Sequence, residues 1–158
     1  MTVSIITVGT LKEDYLKDAV AEYKKRLSQY AKVEEISIKE ERITDEDDGK
    51  AVLAALDAEG EKILSVMPKG ALKVALCVEG KEYSSEGLAE LVRGARDVSG
   101  KIALIIGSSH GLADKVKCAC EVRLSFSRLT FPHQLMRVIL YEALYRSFTI
   151  IAGKKYHK

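Results

Sequence analysis

The sequence has no apolar run that approaches the roughly 20 residues of a membrane-spanning helix. Residues 1–9 are largely apolar, but no basic region precedes them and no cleavage site follows them. They therefore predict a buried first strand and not a signal peptide. Because 47% of the residues are hydrophobic and 30% are charged, the composition is that of a folded globular domain. We expect a cytoplasmic protein without a membrane partner.

Cysteine is scarce, with only Cys77, Cys118 and Cys120 in 158 residues. An odd number of cysteines in a sequence without a predicted signal argues against a disulfide framework. Cys118 and Cys120 have no companion pair of Cys or His at zinc-ligand spacing. The sequence predicts structural thiols and no metal site.

Repeats, low-complexity segments and Pro- or Ser-rich linkers are also absent, so we expect a single domain over residues 1–158. The net charge of +2 is unevenly distributed. Residues 110–158 carry nine Lys or Arg and three Asp or Glu, whereas the preceding residues carry 16 and 20. The basic C-terminal third is compatible with an anionic partner, although a solvated surface explains the charge alone more simply.

Apolar runs and helical periodicities alternate along the chain, which favours an α/β fold: a mostly parallel sheet flanked by helices. Thr10 and Glu13 predict a capping box for the first helix, and Thr44 and Asp47 a possible cap pair for the second. The pattern predicts strands at 3–8, 33–38, 72–78, 102–106 and 122–125. It predicts helices at 12–30, from a charged loop at 39–50 to 67, at 84–98 and at 132–148, with a turn at 79–83.

Three strand ends are candidate ligand-binding segments, at 75–80, 105–112 and 124–133, because ligands of parallel sheets bind at the carboxyl ends of strands. Gly107 and Gly111 fit neither GxGxxG nor a phosphate-binding loop, and turn geometry explains them equally well. Phe126, Leu129 and Phe131 stand where polar loop residues are expected. Such a loop usually folds onto something, for example a bound heterocycle.

The last predicted helix is apolar on two sides. One stripe faces the core of its own chain. The second stripe, Val138, Tyr141, Tyr145 and Phe148, needs another cover, and a homodimer partner is the simplest one.

Several motifs together resemble the SPOUT superfamily of knotted methyltransferases. More narrowly, the whole chain resembles the ribosomal large-subunit pseudouridine N3-methyltransferase family. The resemblance rests on Val-Gly-Thr at 8–10, Glu-Gly at 59–60, Leu-x-x-x-Gly-Lys at 76–81, Ile-Gly-x-x-x-Gly-Leu at 106–112, Leu-Ser-x-x-x-x-Thr-Phe-Pro-His-Gln at 124–134, Met-Arg-Val at 136–138 and the terminal Tyr-His-Lys at 156–158.

The resemblance implies a homodimer with a C-terminal deep trefoil knot that binds S-adenosyl-L-methionine. It also implies methylation of N3 of a pseudouridine in 23S ribosomal RNA, within the ribosome or the large subunit. Ser108 stands where the family commonly has a second Gly, and His110 where it often has Asn or Glu. The positions that match the family's donor-binding residues are Leu76, Gly107, Phe126, Ser127, Arg128, Leu129, Thr130 and Phe131.

Transfer of a methyl group to an imide nitrogen benefits from a base, and His133 and His157 are the candidates. Arg137, one helical turn after His133, is a candidate for holding a phosphate or the developing anion. His133 could instead form a helix-start hydrogen bond, and Arg137 an intersubunit ion pair. The residues expected to bind RNA are Arg137, Lys154, Lys155, Tyr156 and His157.

Three alternatives remain at this point. The first is a knotted methyltransferase that acts on another RNA, such as tRNA. The second is a ribosome-binding factor without catalytic turnover. The third, an unrelated nucleotide-binding regulator, rests only on the α/β pattern, and a fold does not assign a function.

Overall fold

Five parallel strands form one sheet in the order β2-β1-β4-β3-β5. The computed structural model describes residues 1–156, and the statements below concern those residues. The expected α/β fold with a parallel sheet is confirmed. The elements are β1 (Thr2–Val8), α1 (Asp14–Leu27), β2 (Lys32–Ile38), α2 (Gly49–Val66), β3 (Leu72–Glu82), α3 (Ser85–Val98), β4 (Lys101–Ile106), α4 (Asp114–Cys118), β5 (Val122–Ser125) and α5 (His133–Ile151).

The sheet separates two apolar cores, because successive strand side chains point to opposite faces. In β1, Val3 and Ile5 join the larger core, whereas Ile6 and Val8 join the smaller one. The larger core lies under α1, α3 and α5, and the smaller one under α2 and α4. A sheet covered on both faces explains why its central strands read as continuous apolar runs.

The predicted caps of the first two helices are wrong. Helix α1 begins at Asp14 without a side-chain cap, because the chain after β1 is held by α5: the Lys12 N–H donates to Oε1 of Gln134 at 3.0 Å. Helix α2 is capped by Asp48, whose Oδ1 accepts from the N–H of Lys50 at 2.9 Å. The predicted start of α3 is confirmed, since the Ser84 hydroxyl accepts from the N–H of Gly87.

The region after residue 76 differs from the prediction in two respects. Residues 79–83 were expected to form a turn, but β3 continues to Glu82 and pairs with β5 on both sides of an irregularity between Leu76 and Lys81. The short helix α4 has only five residues, too few to display a helical periodicity. Strand β5 lies outside β3 at the edge of the sheet and pairs with β3 before and after the irregularity.

The sequence-based reason for expecting a partner over α5 is wrong. Tyr141 and Phe148, from the stripe that was expected to need a partner, are buried within the chain itself. Tyr145 and Phe148 pack against aromatic rings from the region of α1. The ring centre of Tyr145 lies 6.2 Å from that of Tyr23 in α1, and the ring of Phe148 stacks on Tyr30, just after α1, with 5.8 Å between ring centres. Helix α5 is apolar on several sides because α1 and α3 both pack against it.

Within residues 1–156, no helix combines the length and apolar character needed to span a bilayer.

Candidate functional site

A cleft of about 510 Å³ opens at the carboxyl edge of the sheet. It is lined by residues 76–79 within β3, by the loop that follows β4 and by the segment that follows β5, so the three predicted ligand-binding segments meet there. The size falls within the range of small-molecule sites, about 300–1,000 Å³. Its lining is mainly apolar side chains and loop backbone, with a few polar groups.

The first wall is the glycine loop, residues 107–112. Gly107 has no room for a side chain, because a Cβ there would lie 2.0 Å from the carbonyl oxygen of Gly111. The loop is closed by a hydrogen bond from the N–H of Gly111 to the carbonyl of Ser108, at 3.0 Å, and Gly111 has a φ of +90°. Glycine is thus required at 107 because the backbone of residue 111 lies so close, and it is favoured at 111 because the backbone there is left-handed.

The second wall is the apolar loop, residues 126–132. Phe126 is half-buried against the larger core, as expected for a loop that folds inward. Leu129, however, is 71% exposed and Phe131 is 38% exposed. The Ser125 hydroxyl donates to the carbonyl of Ser127, and the N–H of Leu129 donates to the Ser127 hydroxyl, both at 3.0 Å. Both hydrogen bonds join residues that are two apart in the chain.

The predicted donor-binding residues of these segments meet in one place, with one exception. Leu76, Gly107, Phe126, Ser127, Leu129, Thr130 and Phe131 all line the cleft. Arg128 does not line it. The Arg128 side chain is almost fully exposed and points toward Glu82, whose carboxylate lies 3.9 Å away.

The third wall contains charged residues that the sequence prediction missed. Glu79 and Lys117 both line the cleft, and the Lys117 Nζ lies 2.6 Å from Oε1 of Glu79. The hydrogen bond lowers the pKa of the Glu79 carboxyl and raises the pKa of the Lys117 amine, so both groups are charged at neutral pH. Glu79 could have been found from its position at a strand end, but Lys117 lies on the unpredicted α4. Burial raises the pKa of the neighbouring Cys77 thiol, which is therefore protonated.

The start of α5 contributes His133 and Met136 to the cleft. Arg137 does not line it, although the sequence placed it on the same helix face as His133. Arg137 is 1% exposed, and its Nη2 donates to the carbonyls of Val8 and Gly9, each at 2.8 Å. In this arrangement Arg137 joins α5 to the end of β1, and a direct role in binding RNA stays a prediction.

The described part of the predicted RNA-binding tail, residues 153–156, lies at the opposite end of α5 from the cleft. Because α5 has 19 residues, its ends are about 28 Å apart at about 1.5 Å per residue. The Tyr156 hydroxyl donates to Oε1 of Glu142 at 3.1 Å, and its ring packs edge-on against Tyr145. Lys154 Nζ lies 4.8 Å from the Tyr30 ring centre, and Lys155 is exposed. His157 lies outside the described residues.

Comparison with known proteins agrees with this architecture. Residues 1–157 match the family described as "Predicted SPOUT methyltransferase", and the chain belongs to that family. Two relatives carry the name ribosomal RNA large subunit methyltransferase H. The relative from Caldicellulosiruptor saccharolyticus is 48% identical over 156 residues, which cover 99% of each chain. The relative from Bacillus pumilus is 46% identical over 159 residues, which cover 100% of each chain.

A solved structure supports the fold independently of sequence. The crystal structure of a "Probable Methyltransferase" from Bordetella pertussis aligns with a TM-score of 0.57. The alignment covers 92% of this chain and 93% of that one, at 14% sequence identity. At this identity the likeness concerns the fold alone.

Proposed function

We propose that this protein is an S-adenosylmethionine-dependent methyltransferase that modifies N3 of a pseudouridine in the RNA of the large ribosomal subunit. The observation that carries the proposal is the cleft at the carboxyl edge of the sheet, formed by the glycine loop and the apolar loop. The full-length similarity to relatives named as large-subunit rRNA methyltransferases supports the substrate class. A ribosomal substrate also agrees with the expected cytoplasmic location.

The residues of the cleft fit this methyl donor. Leu76, Phe126 and Leu129 offer apolar surface for the adenine ring. The close approach of Gly107 to the Gly111 carbonyl gives the glycine loop beside it a compact shape. The paired charges of Glu79 and Lys117 suit the donor's ammonium and carboxylate groups. When bound, S-adenosylmethionine supplies an electrophilic methyl carbon to an aligned nucleophile about 3–3.5 Å away.

His133 is the candidate base on the described part of the chain. It follows the apolar loop, lines the cleft and is partly exposed, so its imidazole can contact both a bound donor and an incoming base. Its role is to accept the imide proton, which makes the nitrogen nucleophilic. Arg137 positions His133 indirectly, because its bonds to Val8 and Gly9 fix the first turn of α5.

The proposal includes the C-terminal knot. β5 lies at one edge of the sheet, whereas α5 begins beside the end of β1, and the two strands β3 and β4 lie between β5 and β1. Residues 126–132 must therefore cross the carboxyl ends of β3 and β4, where the glycine loop also lies. Threading at this crossing would hold the apolar loop against the glycine loop.

The proposal also includes a homodimer with shared sites. Leu129, Phe131 and Leu135 leave apolar surface exposed at the cleft end of α5, which a second copy would bury. The tail lies about 28 Å from the cleft of its own chain along α5. In an antiparallel pair of α5 helices, Tyr156 and the lysines of one subunit would approach the cleft of the other.

The function is tested by incubating the protein with methyl-labelled donor and ribosomes that lack the modification. Free large subunits, intact ribosomes, bare 23S RNA and tRNA are compared, and the labelled nucleotide is mapped. We expect label on a single pseudouridine of 23S RNA. Label on tRNA would indicate another substrate, and donor binding without transfer to any RNA would indicate a non-catalytic factor.

The shared site is tested by complementation between two inactive variants. Gly107→Ala has a defective cleft and an intact tail, whereas deletion of residues 156–158 leaves the cleft intact. We expect the deletion to abolish methyl transfer and to leave donor binding largely unchanged. Mixed dimers of the two variants should recover one active site, because the tail of one subunit serves the intact cleft of the other. If mixed dimers stay inactive while each variant still dimerises, the tail acts within its own chain.

A further inference from the structure

The glycine loop is supported from behind by a buried carboxylate. Glu59 of α2 is 3% exposed and is the one buried carboxylate among the described residues. Its Oε2 accepts from the hydroxyl of Ser108 at 3.1 Å, and its Oε1 accepts from the N–H of Glu41 at 2.9 Å. A buried carboxylate is costly unless it is hydrogen-bonded, so these two contacts fix its position.

Ser108 is the point at which this contact reaches the cleft. It is itself buried and lines the cleft, while its carbonyl accepts the N–H of Gly111 that closes the glycine loop. The Ser108 side chain is thus anchored to α2, and its backbone is anchored within the loop. A movement of Ser108 would displace the turn formed by residues 108–111.

Gly60 gives the same part of α2 a second contact with the far side of the loop. A Cβ at Gly60 would lie 2.9 Å from Cε of Lys115 and 3.1 Å from Cβ of Ala113. Helix α2 therefore packs directly against the start of α4, just after the glycine loop ends. Glu59 and Gly60 together hold both flanks of the loop.

From these contacts we infer that Glu59 is a positioning residue for the methyl donor, acting through the Ser108 hydroxyl on the glycine loop. This inference rests on the proposed function, since it concerns the same cleft. The Glu59 carboxylate lies behind the loop and does not line the cleft. Through its bond to Glu41 it also links the loop between β2 and α2 to the donor site.

The inference is tested with Ser108→Ala, Glu59→Leu, the double variant and the conservative Glu59→Gln. Ser108→Ala leaves Oε2 of Glu59 buried without its partner and should weaken donor binding about tenfold by titration calorimetry. Glu59→Leu should act similarly, and the double variant should lose little more than the worse single variant. Glu59→Gln can bond both partners and should restore most of the affinity.

Ser147→Ala is the matched control. This serine is equally buried, and its hydroxyl donates to the carbonyl of Ala143 at 2.8 Å, far along α5 from the cleft. Its loss should lower the melting temperature and leave donor affinity unchanged. Hydrogen exchange of the donor-free protein gives an independent readout: the amides of residues 108–112 should exchange faster in Ser108→Ala than in Ser147→Ala.

Each outcome has a separate meaning. Unchanged donor affinity and loop exchange in folded Ser108→Ala and Glu59→Leu would overturn the inference, as would fully additive losses in the double variant. If Glu59→Leu does not fold, Ser108→Ala and Glu59→Gln still decide the matter. A wild-type protein that binds no donor would instead contradict the proposed function, while the exchange measurement would still test the coupling of Glu59 to the loop.

Discussion

The glycine loop is held by the body of the protein, whereas the apolar loop across the cleft is held mainly by itself. Behind the glycine loop stand the buried Glu59 carboxylate and the close packing of Gly60 on α4. In the apolar loop, Leu129 is exposed and its main polar contact is with Ser127, two residues away. One wall of the site is thus preorganised, and the other has apolar surface left to be covered by donor, RNA or a second subunit.

The difference predicts that changes in the glycine loop affect both stability and donor binding, whereas changes in the apolar loop affect binding or turnover alone. Three loop variants test this difference and a fourth, His133→Ala, tests the candidate base; they are given in order of decreasing effect.

Gly107→Ala should have the largest effect. The added Cβ would lie 2.0 Å from the Gly111 carbonyl, so the loop must open. We expect donor affinity to fall at least about 100-fold, together with the melting temperature, as measured by calorimetry. Gly94→Ala is the control, because a Cβ at that position of α3 meets nothing within 4 Å. Donor binding by Gly107→Ala at wild-type affinity would mean that this loop does not form the site.

His133→Ala should lower the rate of methyl transfer about 100-fold, with a much smaller effect on donor affinity and no change in melting temperature. The rate is measured at several pH values, because loss of a base should also remove the rise in rate with pH. The neighbouring Gln134→Ala, which removes only the bond to the Lys12 N–H, serves as a control. Full activity in both His133→Ala and His157→Ala would exclude both predicted bases.

Leu129→Ser should weaken donor binding about fivefold while the melting temperature stays within error. The side chain is 71% exposed in the free chain, so it contributes little to stability until something covers it. Val98→Ser, at an exposed position at the end of α3, is the matched control and should have no effect on binding. A clear loss of stability in Leu129→Ser would show that the apolar loop is already packed in the free protein.

Ser127→Ala should have the smallest effect, about twofold on donor affinity, because its bond to the N–H of Leu129 is local and partly exposed. Comparison with Ser108→Ala then sets a serine of the apolar loop against one of the glycine loop. Equal losses of donor affinity in the two variants would show that the glycine loop is not held more firmly than the apolar loop.

The local pattern of the sequence was sufficient for much of the fold. Strands such as β1 and β4 have the continuous apolar runs that a sheet covered on both faces requires. Helix α3 is capped by the serine that the sequence predicted. Because the carboxyl ends of parallel strands lie at one edge, the three segments that form the cleft could also be predicted. The caps of α1 and α2 could not, since α5 holds the chain after β1 and Asp48 offered a competing cap.

The contacts that support the site could not be predicted from the sequence, for a different reason. Glu59 and Ser108 are 49 residues apart, and nothing local marks them as partners. Arg137 could be placed on the helix face of His133, but its burial against β1 depends on the position of α5 next to that strand. The second apolar stripe of α5 predicted a homodimer partner as its cover, whereas elements of the same chain cover it.

The position of the donor is tested most directly by crosslinking methyl-labelled S-adenosylmethionine to the protein with ultraviolet light and mapping the labelled peptides. We predict label in peptides from the glycine loop or from residues 124–136, and none when Gly107→Ala replaces the wild type. Label confined to the second, smaller cavity between α3 and α5, near Tyr83 and Ile139, would contradict the proposed site.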